Sequence, residues 1–325
     1  MKKKLLWTGV IIITLVIGVL GFVLFYDDGS LSGFVSAESE AEFKTVYEEA
    51  MQHLPVPVET RTIVTSFGEV RLYKFQEPAA MDETPLLLLP GKSASTPMWE
   101  ANLADLIRER PVYTIDLLGE PGLSVEQVRI EDNEDQAIWL REVIAALDEP
   151  RLHLLGLSFG GWSAVNVMLQ EDVPQVASLI LVDPVHVFGP IPLKMVLVSI
   201  PASLPIVPQS IRERMLSYIA GGAVIDEDDP TARLIETGMR AFKSKLPMPT
   251  EFKKEDLTAL SLPVLAIIAG SSTIHHPEQA EAAAREGLTH PSSEVLVIEE
   301  ASHAINGEYP AELAAAIDAF ILAIE

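Results

Sequence analysis

The sequence predicts an α/β protein. A mostly parallel sheet carries helices on both faces, a helical cap is inserted over it, and a transmembrane helix stands in front. Three observations predict this. Beyond residue 85, unbroken apolar runs alternate with helical patterns. One connection between such runs is far too long for a crossover helix. The N-terminus holds a lysine cluster followed by a long uncharged apolar run.

Taken in order, the chain opens with "MKKK" and then has no charge from residue 5 to residue 26. As a helix this run spans roughly 30 Å, about one hydrocarbon thickness. The lysines should stay in the cytoplasm and send the remainder outside, which predicts a single-pass protein of the cell membrane with an extracytoplasmic domain. The competing reading is a cleaved signal peptide, with the small residues Val35, Ser36 and Ala37 as the cut site. That site lies far past the apolar run, and the run exceeds the usual signal core, so an uncleaved anchor over 1–26 is the expectation.

Residues 27–59 read as a juxtamembrane piece: a polar, Gly/Ser-containing linker and then "EFKTVYEEAMQHL" with helical spacing. The main domain is expected over 60–325. It starts with "RTIVTSF" and "VRLYKFQ", which alternate and predict a hairpin around Gly68-Glu69. Then come "PLLLLP", "VYTIDLL", "LHLLGLS", "SLILVDP", "PVLAIIAG" and "EVLVIEE", separated by amphipathic stretches. Continuous apolar strands between helices indicate a parallel sheet buried on both faces. Catalytic groups in such sheets gather at the carboxyl ends of the strands. Between "SLILVDP" and "PVLAIIAG" lie roughly eighty residues, more than one crossover helix needs. This stretch, 184–260, is rich in Pro, Met, Leu and Ile and is expected to form the cap.

Bulk properties narrow the function. With 325 residues, 48% hydrophobic and 22% charged, the chain can bury a large core. A formal net charge of −24 repels nucleic acid, so a DNA- or RNA-binding role is disfavoured. There is no cysteine, which excludes disulfides, thiolate metal sites and a thiol nucleophile.

The chemistry centres on "LHLLGLSFGGWSAV", where Gly156-x-Ser158-x-Gly160 separates an apolar strand from a helical pattern. A serine hydroxyl is a weak nucleophile until a base takes its proton. A tight strand-to-helix turn lifts the hydroxyl above the sheet, and its glycines permit close backbone approach. The helix that starts at Phe159 aims its amides where an oxyanion would develop.

Residues 61–325 resemble an α/β-hydrolase, of the bacterial carboxylesterase-like branch. "LLLLPGKSASTPMW" is similar to the strand and oxyanion loop, with Pro90 in place of the usual histidine and Gly91 retained. "VYTIDLLGEPGLS" resembles the loop carried here by Asp116, Gly119, Gly122 and Ser124. "GLSFGGW" matches the nucleophile elbow. "ASHAINGEYP" matches the histidine signature, with Ser302 replacing a glycine.

The resemblance implies an acyl-enzyme mechanism on a small-molecule ester or acyl substrate, with no cofactor and no metal. Relatives that cleave haloalkanes or epoxides carry aspartate at the elbow, so their chemistry is disfavoured. Amide hydrolysis and acyl transfer stay open, because fold does not set substrate. An apolar cap points to a hydrophobic acyl or alcohol group.

Seven histidines compete for the base. His153 lies in the strand before the elbow, in a packed or polar-paired position. His53 precedes the domain, and His290 adjoins a proline in a loop. His275 and His276 are neighbours whose side chains diverge, with no third ligand nearby, and read as a polar loop. His303 follows the last strand and comes after the serine, as hydrolase chain order requires.

The acid departs from the family pattern. The resemblance places it just after "PVLAIIAG", where Ser271, Ser272 and Thr273 stand instead. None can supply the negative charge that orients and stabilises an imidazolium. Glu278 should lie inside the next helix. Asp183 ends "SLILVDP", and some α/β-hydrolases take their acid from that strand end. An aspartate before proline there is also common as a structural residue, but the later slot is empty, so Asp183 is the candidate acid. The oxyanion hole should use the backbone N–H groups of Phe159 and Lys92, and the lysine side chain need not participate. Asp116 and Trp99 read as structural. The vacant acid slot also motivates the opposite reading: a binding or signalling protein that kept the fold and lost efficient catalysis.

Overall fold

The fold is that of a computed structural model, which describes residues 29–195 and 229–325. The anchor expected within 1–26 and the part of the cap over 196–228 lie outside the described residues. Among the described residues no helix is long and apolar enough to cross a membrane. The chain divides into two units. The first, Met1–Leu31, is described only at residues 29–31, and the architecture below is that of the second, Ser32–Glu325.

The second unit enters through a two-residue strand β1 (Gly33–Phe34) and helix α1 (Ala37–Met51), whose start is closed by a reciprocal Ser36–Ser39 cap. A hairpin follows, β2 (Glu59–Thr65) and β3 (Gly68–Phe75). The core then runs through β4 (Leu86–Leu89), α2 (Glu100–Glu109), β5 (Val112–Ile115) and a short β6 (Val125–Glu126). It continues with α3 (Asn133–Ala146), β7 (Leu152–Leu157), α4 (Phe159–Gln170) and β8 (Val176–Val182). Beyond the insertion come α5 (Pro230–Ala241), β9 (Phe242–Lys243), α6 (Lys254–Ala259) and β10 (Val264–Ala269). The chain ends with α7 (Pro277–Gly287), β11 (Glu294–Ile298), α8 (Ile305–Glu308) and α9 (Pro310–Ile324).

The main sheet has the order β11-β10-β8-β7-β4-β5-β3-β2, with β6 beside β3. From β5 to β11 all neighbours are parallel, and only the hairpin and β6 run antiparallel. Side chains alternate between faces with the period of two that a strand imposes. Leu87, Leu89, Leu154 and Leu181 join Trp139 and Trp162 on one face. Leu86, Leu88, Leu155 and Ile180 join Phe43, Leu103 and Phe320 on the other. Both faces are apolar because both are covered, which is why these strands read as unbroken apolar runs. Register then stacks the strand ends, with Leu89 opposite Gly156 and Leu157 opposite Val182. The turns after β4, β7, β8 and β10 therefore open along one edge.

Three expectations need correction. The hairpin turns at Ser66 and Phe67, ahead of the expected Gly68-Glu69. Thr65 Oγ1 accepts from the amides of Phe67 and Gly68 and closes the turn early. Gly68 then sits at φ 149°, where a Cβ would meet the Val125 carbonyl of β6.

Next, the segment expected as a juxtamembrane piece ending at 59 is part of the same compact unit from Ser32 onward. Phe43, Val46, Tyr47 and Ala50, at helical spacing, are buried in the second core face. Tyr47 Oη donates to Asp116 at 3.0 Å, and β1 pairs with β9.

Finally, the expected cap boundary at 260 is too late. Leu257 of α6 packs on α7, so closely that a Cβ at Gly287 would lie 2.7 Å from it. That helix belongs to the covering layer of the sheet.

Candidate active site

β7 delivers Ser158 into a turn that only small neighbours allow. A Cβ at Gly156 would strike the Gly160 carbonyl, and one at Gly160 would strike the Leu89 carbonyl. Ser158 itself adopts φ 53°, ψ −114°, a conformation that costs of order 1–3 kcal/mol and persists only where surroundings enforce it. They do: the Ser158 N–H donates to Val182 O at 3.0 Å, and its carbonyl accepts from Trp162 N and Val185 N at 3.1 and 3.2 Å.

Three sequence-predicted residues meet here. His303 Nε2 lies 2.9 Å from Ser158 Oγ, and its Nδ1 lies 2.6 Å from Asp183 Oδ2. The two ends of the imidazole thus join a hydroxyl and a carboxylate. Asp183 follows β8, fully buried and at φ 41°. Its N–H donates to Ile267 O at 2.7 Å, and its Oδ1 accepts the Ala269 N–H at 3.0 Å, which ties the acid to β10.

Two further donors were not anticipated. Ser272 Oγ donates to Oδ2 at 2.7 Å, and His275 Nε2 lies 2.7 Å from Oδ1. Burial alone would push the Asp183 carboxyl up. The hydrogen bonds from His275 and His303, with the attraction of those rings when charged, outweigh it and hold the group well below the usual carboxylate range.

His275 therefore corrects the reading of a polar loop. It is buried, whereas His276 is exposed at the start of α7. Glu278 lies in the first turn of α7, exposed, as expected of a helix residue. His153 is polar-paired, with Ser178 Oγ 2.8 Å from Nδ1 and Glu325 at 3.3 Å from Nε2.

The loop after β4 abuts the serine, since a Cβ on Gly91 would lie 3.5 Å from the Ser158 Cβ. Phe159 is the first residue of α4, directly after Ser158, and Lys92 follows Gly91 in the neighbouring loop. The Lys92 side chain pairs with a carboxylate. Its Nζ lies 2.9 Å from Glu120 Oε1 and 5.6 Å above the Phe159 ring. Glu120 is buried and also accepts the Ser93 N–H at 2.8 Å, which holds Ser93 at φ 60°. Asp116 is structural, receiving the amides of Thr96 and Leu123 at 2.9 and 2.8 Å, and Trp99 is fully buried. Glu308 accepts the N–H and Oγ of Ser302 at 2.7 and 2.8 Å, so the serine that replaces the family's glycine braces the His303 loop.

A model of the alpha/beta hydrolase family matches residues 86–316, which includes the strands from β4 onward and the loops that carry Ser158, Asp183 and His303. The chain belongs to that family. By sequence this hydrolase is similar to carboxylesterase YbfK of Bacillus subtilis, 24% identical over 284 residues, covering 85% of this chain and 92% of that protein. By structure it is similar to the naproxen esterase of Bacillus subtilis, with a TM-score of 0.79 and 22% identity over 88% of this chain and 99% of that one. A membrane phospholipase A shares the fold over 99% of both chains, with a TM-score of 0.66 and 19% identity.

Proposed function

We propose that the protein is a membrane-anchored serine hydrolase of carboxylic esters. The observation that carries this is the unbroken Ser158–His303–Asp183 hydrogen-bond chain at the carboxyl edge of the sheet. Ser158 Oγ attacks the ester carbonyl while His303 Nε2 takes its proton, and the carbonyl becomes an oxyanion facing the amides of Phe159 and Lys92. Asp183, held ionised, stabilises the imidazolium that forms. Collapse breaks the bond to the alcohol, which leaves with the proton from His303. Water then attacks the acyl-serine with His303 again as base, and as the bond to Ser158 Oγ breaks, His303 returns the proton to that oxygen and the acid product departs. The carboxylesterase relatives support an ester as substrate. The apolar residues of the cap support a hydrophobic acyl or alcohol group.

The anchor rests on the apolar run over 5–26 and the lysines before it. Full-length protein should fractionate with membranes and be shaved from intact cells by external protease. Recovery of a protease-protected cytosolic protein would sink this part of the proposal.

The vacancy after β10 motivated a second reading, a binding or signalling protein without catalysis. A fluorophosphonate probe separates the two. Labelling that vanishes in Ser158→Ala supports the hydrolase, and no labelling of folded wild-type protein supports the binder. Short- and long-chain p-nitrophenyl esters and a phospholipid then define the acyl preference.

A further inference from the structure

We propose that His275 is a positioning residue for the acid: a second histidine that holds Oδ1 of Asp183 so that Oδ2 is left to Ser272 and His303. This rests on the hydrolase reading above. The two carboxylate oxygens have separate tasks. Oδ1 accepts from Ala269 N and His275 Nε2, and Oδ2 accepts from Ser272 Oγ and His303 Nδ1. Each oxygen thus has two donors, and the carboxylate plane is set by donors on both ends. His303 is the partner that must rearrange during turnover, as its charge comes and goes. The other three donors are static and keep the acid in place through that cycle.

The tautomer follows from partners. An ionised carboxylate only accepts, so the proton of His275 sits on Nε2. Its Nδ1 is buried and has no hydrogen-bond partner among the described residues. A proton on that nitrogen would be a buried, unpaired N–H, so the site accommodates the tautomer with its proton on Nε2. Among the described residues the titratable groups that bond to Asp183 are the two histidines, one from the loop after β10 and one from the loop after β11. His275 supplies a hydrogen bond to Oδ1 and does not compete with His303 for Oδ2. The loop after β10 therefore contributes two holders of the acid, Ser272 and His275.

The test compares His275→Gln with His275→Leu. Glutamine can place an N–H near the position of Nε2, while leucine fills similar volume without a donor. A positioning role predicts kcat within about threefold of wild type for Gln. For Leu it predicts a loss of about 10- to 100-fold, the range that small misplacements cause, with KM within twofold in both. A packing role predicts the opposite order, since leucine is the better core residue. A Leu variant equal to wild type, or equal losses in both, would overturn the proposal. The ring nitrogen NMR shifts of His275 in the wild-type protein provide a check that needs no variant. A proton on Nε2, directed at Asp183, is expected, and an Nδ1–H tautomer with a bare Nε2 would overturn it. If wild type lacks fluorophosphonate labelling, the hydrolase reading fails first; if it labels and the His275 variants behave as packing requires, only the positioning role fails.

Discussion

Asp183→Asn exchanges one carboxylate oxygen for an NH₂ group, and the surroundings decide which one. The Ala269 N–H, 3.0 Å from Oδ1, is a backbone donor that cannot turn round, and His275 Nε2 stands beside it at 2.7 Å. Both demand an acceptor at that end. The amide nitrogen is driven to the Oδ2 end, where Ser272 Oγ can accept but the Nδ1–H of His303 cannot. To avoid two facing donors, His303 must move its proton to Nε2, which points at Ser158 Oγ 2.9 Å away. The base then arrives already protonated. The same error in the best-studied serine protease triad costs about 10⁴ in turnover, roughly 5.5 kcal/mol of activation free energy. We expect a kcat loss of about 10³–10⁴ here, with KM within threefold because Asp183 touches no substrate. The assay is p-nitrophenyl butyrate hydrolysis beside the rate of fluorophosphonate labelling, with the thermal midpoint confirming the fold. A folded variant within tenfold of wild type would refute the tautomer argument. Glu278→Gln, exposed in α7, should stay within threefold.

Three other expectations concern the supports of the site and the acid limb. Glu120→Ala frees Ser93 N and Lys92 Nζ, so kcat should fall about 10- to 100-fold with the fold retained; unchanged kcat would mean the loop holds its shape alone. Burial pushes the His153 ring down to about 4, below its ordinary 6.5. The native state therefore binds fewer protons than the unfolded chain between those values, and stability should fall as pH drops from about 6.5 to 4. Asp183, depressed in the native state, gives stability that is present above its unfolded value and is lost progressively below about pH 4. Thermal midpoints against pH check both, and His153→Gln should flatten the upper window; an unchanged slope would count against it. A chain beginning at Gly29 should be as stable as the whole Ser32–Glu325 unit allows, whereas one beginning at Glu38 loses β1 and the Ser36 cap. It should lose about 1–3 kcal/mol by denaturant titration, and equal midpoints would show the clasp to be idle.

The parallel sheet was legible because strands buried on both faces leave continuous apolar runs, and Leu86 through Leu89 are buried without exception. Ser158 and His303 were legible because strand ends and chain order constrain them. Asp183 was reached by elimination, since an aspartate before a proline carries the same letters whether or not it faces a histidine. His275 was not legible. Its neighbour His276 is exposed, and only the fold reveals that Ile274 and His275 turn inward together. Glu120 offered one hint, a carboxylate set between Gly119 and Pro121 in the loop after β5, yet its partners include residues 27 and 124 positions away. The role of α1 was hidden because an amphipathic helix beside a polar linker does not declare what its apolar side meets.

The pairing of β1 with β9 makes the start of this unit a mechanical handle. Lys245 N donates to Ser32 Oγ at 2.9 Å, and Val35 N donates to Ala241 O at 2.9 Å. One residue before Lys245, Ser244 Oγ donates to Glu120 at 3.1 Å, and Glu120 grips Ser93. Tension applied at Ser32 has a load path of a few hydrogen bonds, through residues 241–245 and Glu120, into the loop that abuts Ser158. The core strands lie outside that path. A pull too weak to disturb the sheet would strain the loop beside Ser158 first, so the start of this unit and the geometry of its chemistry share a linkage.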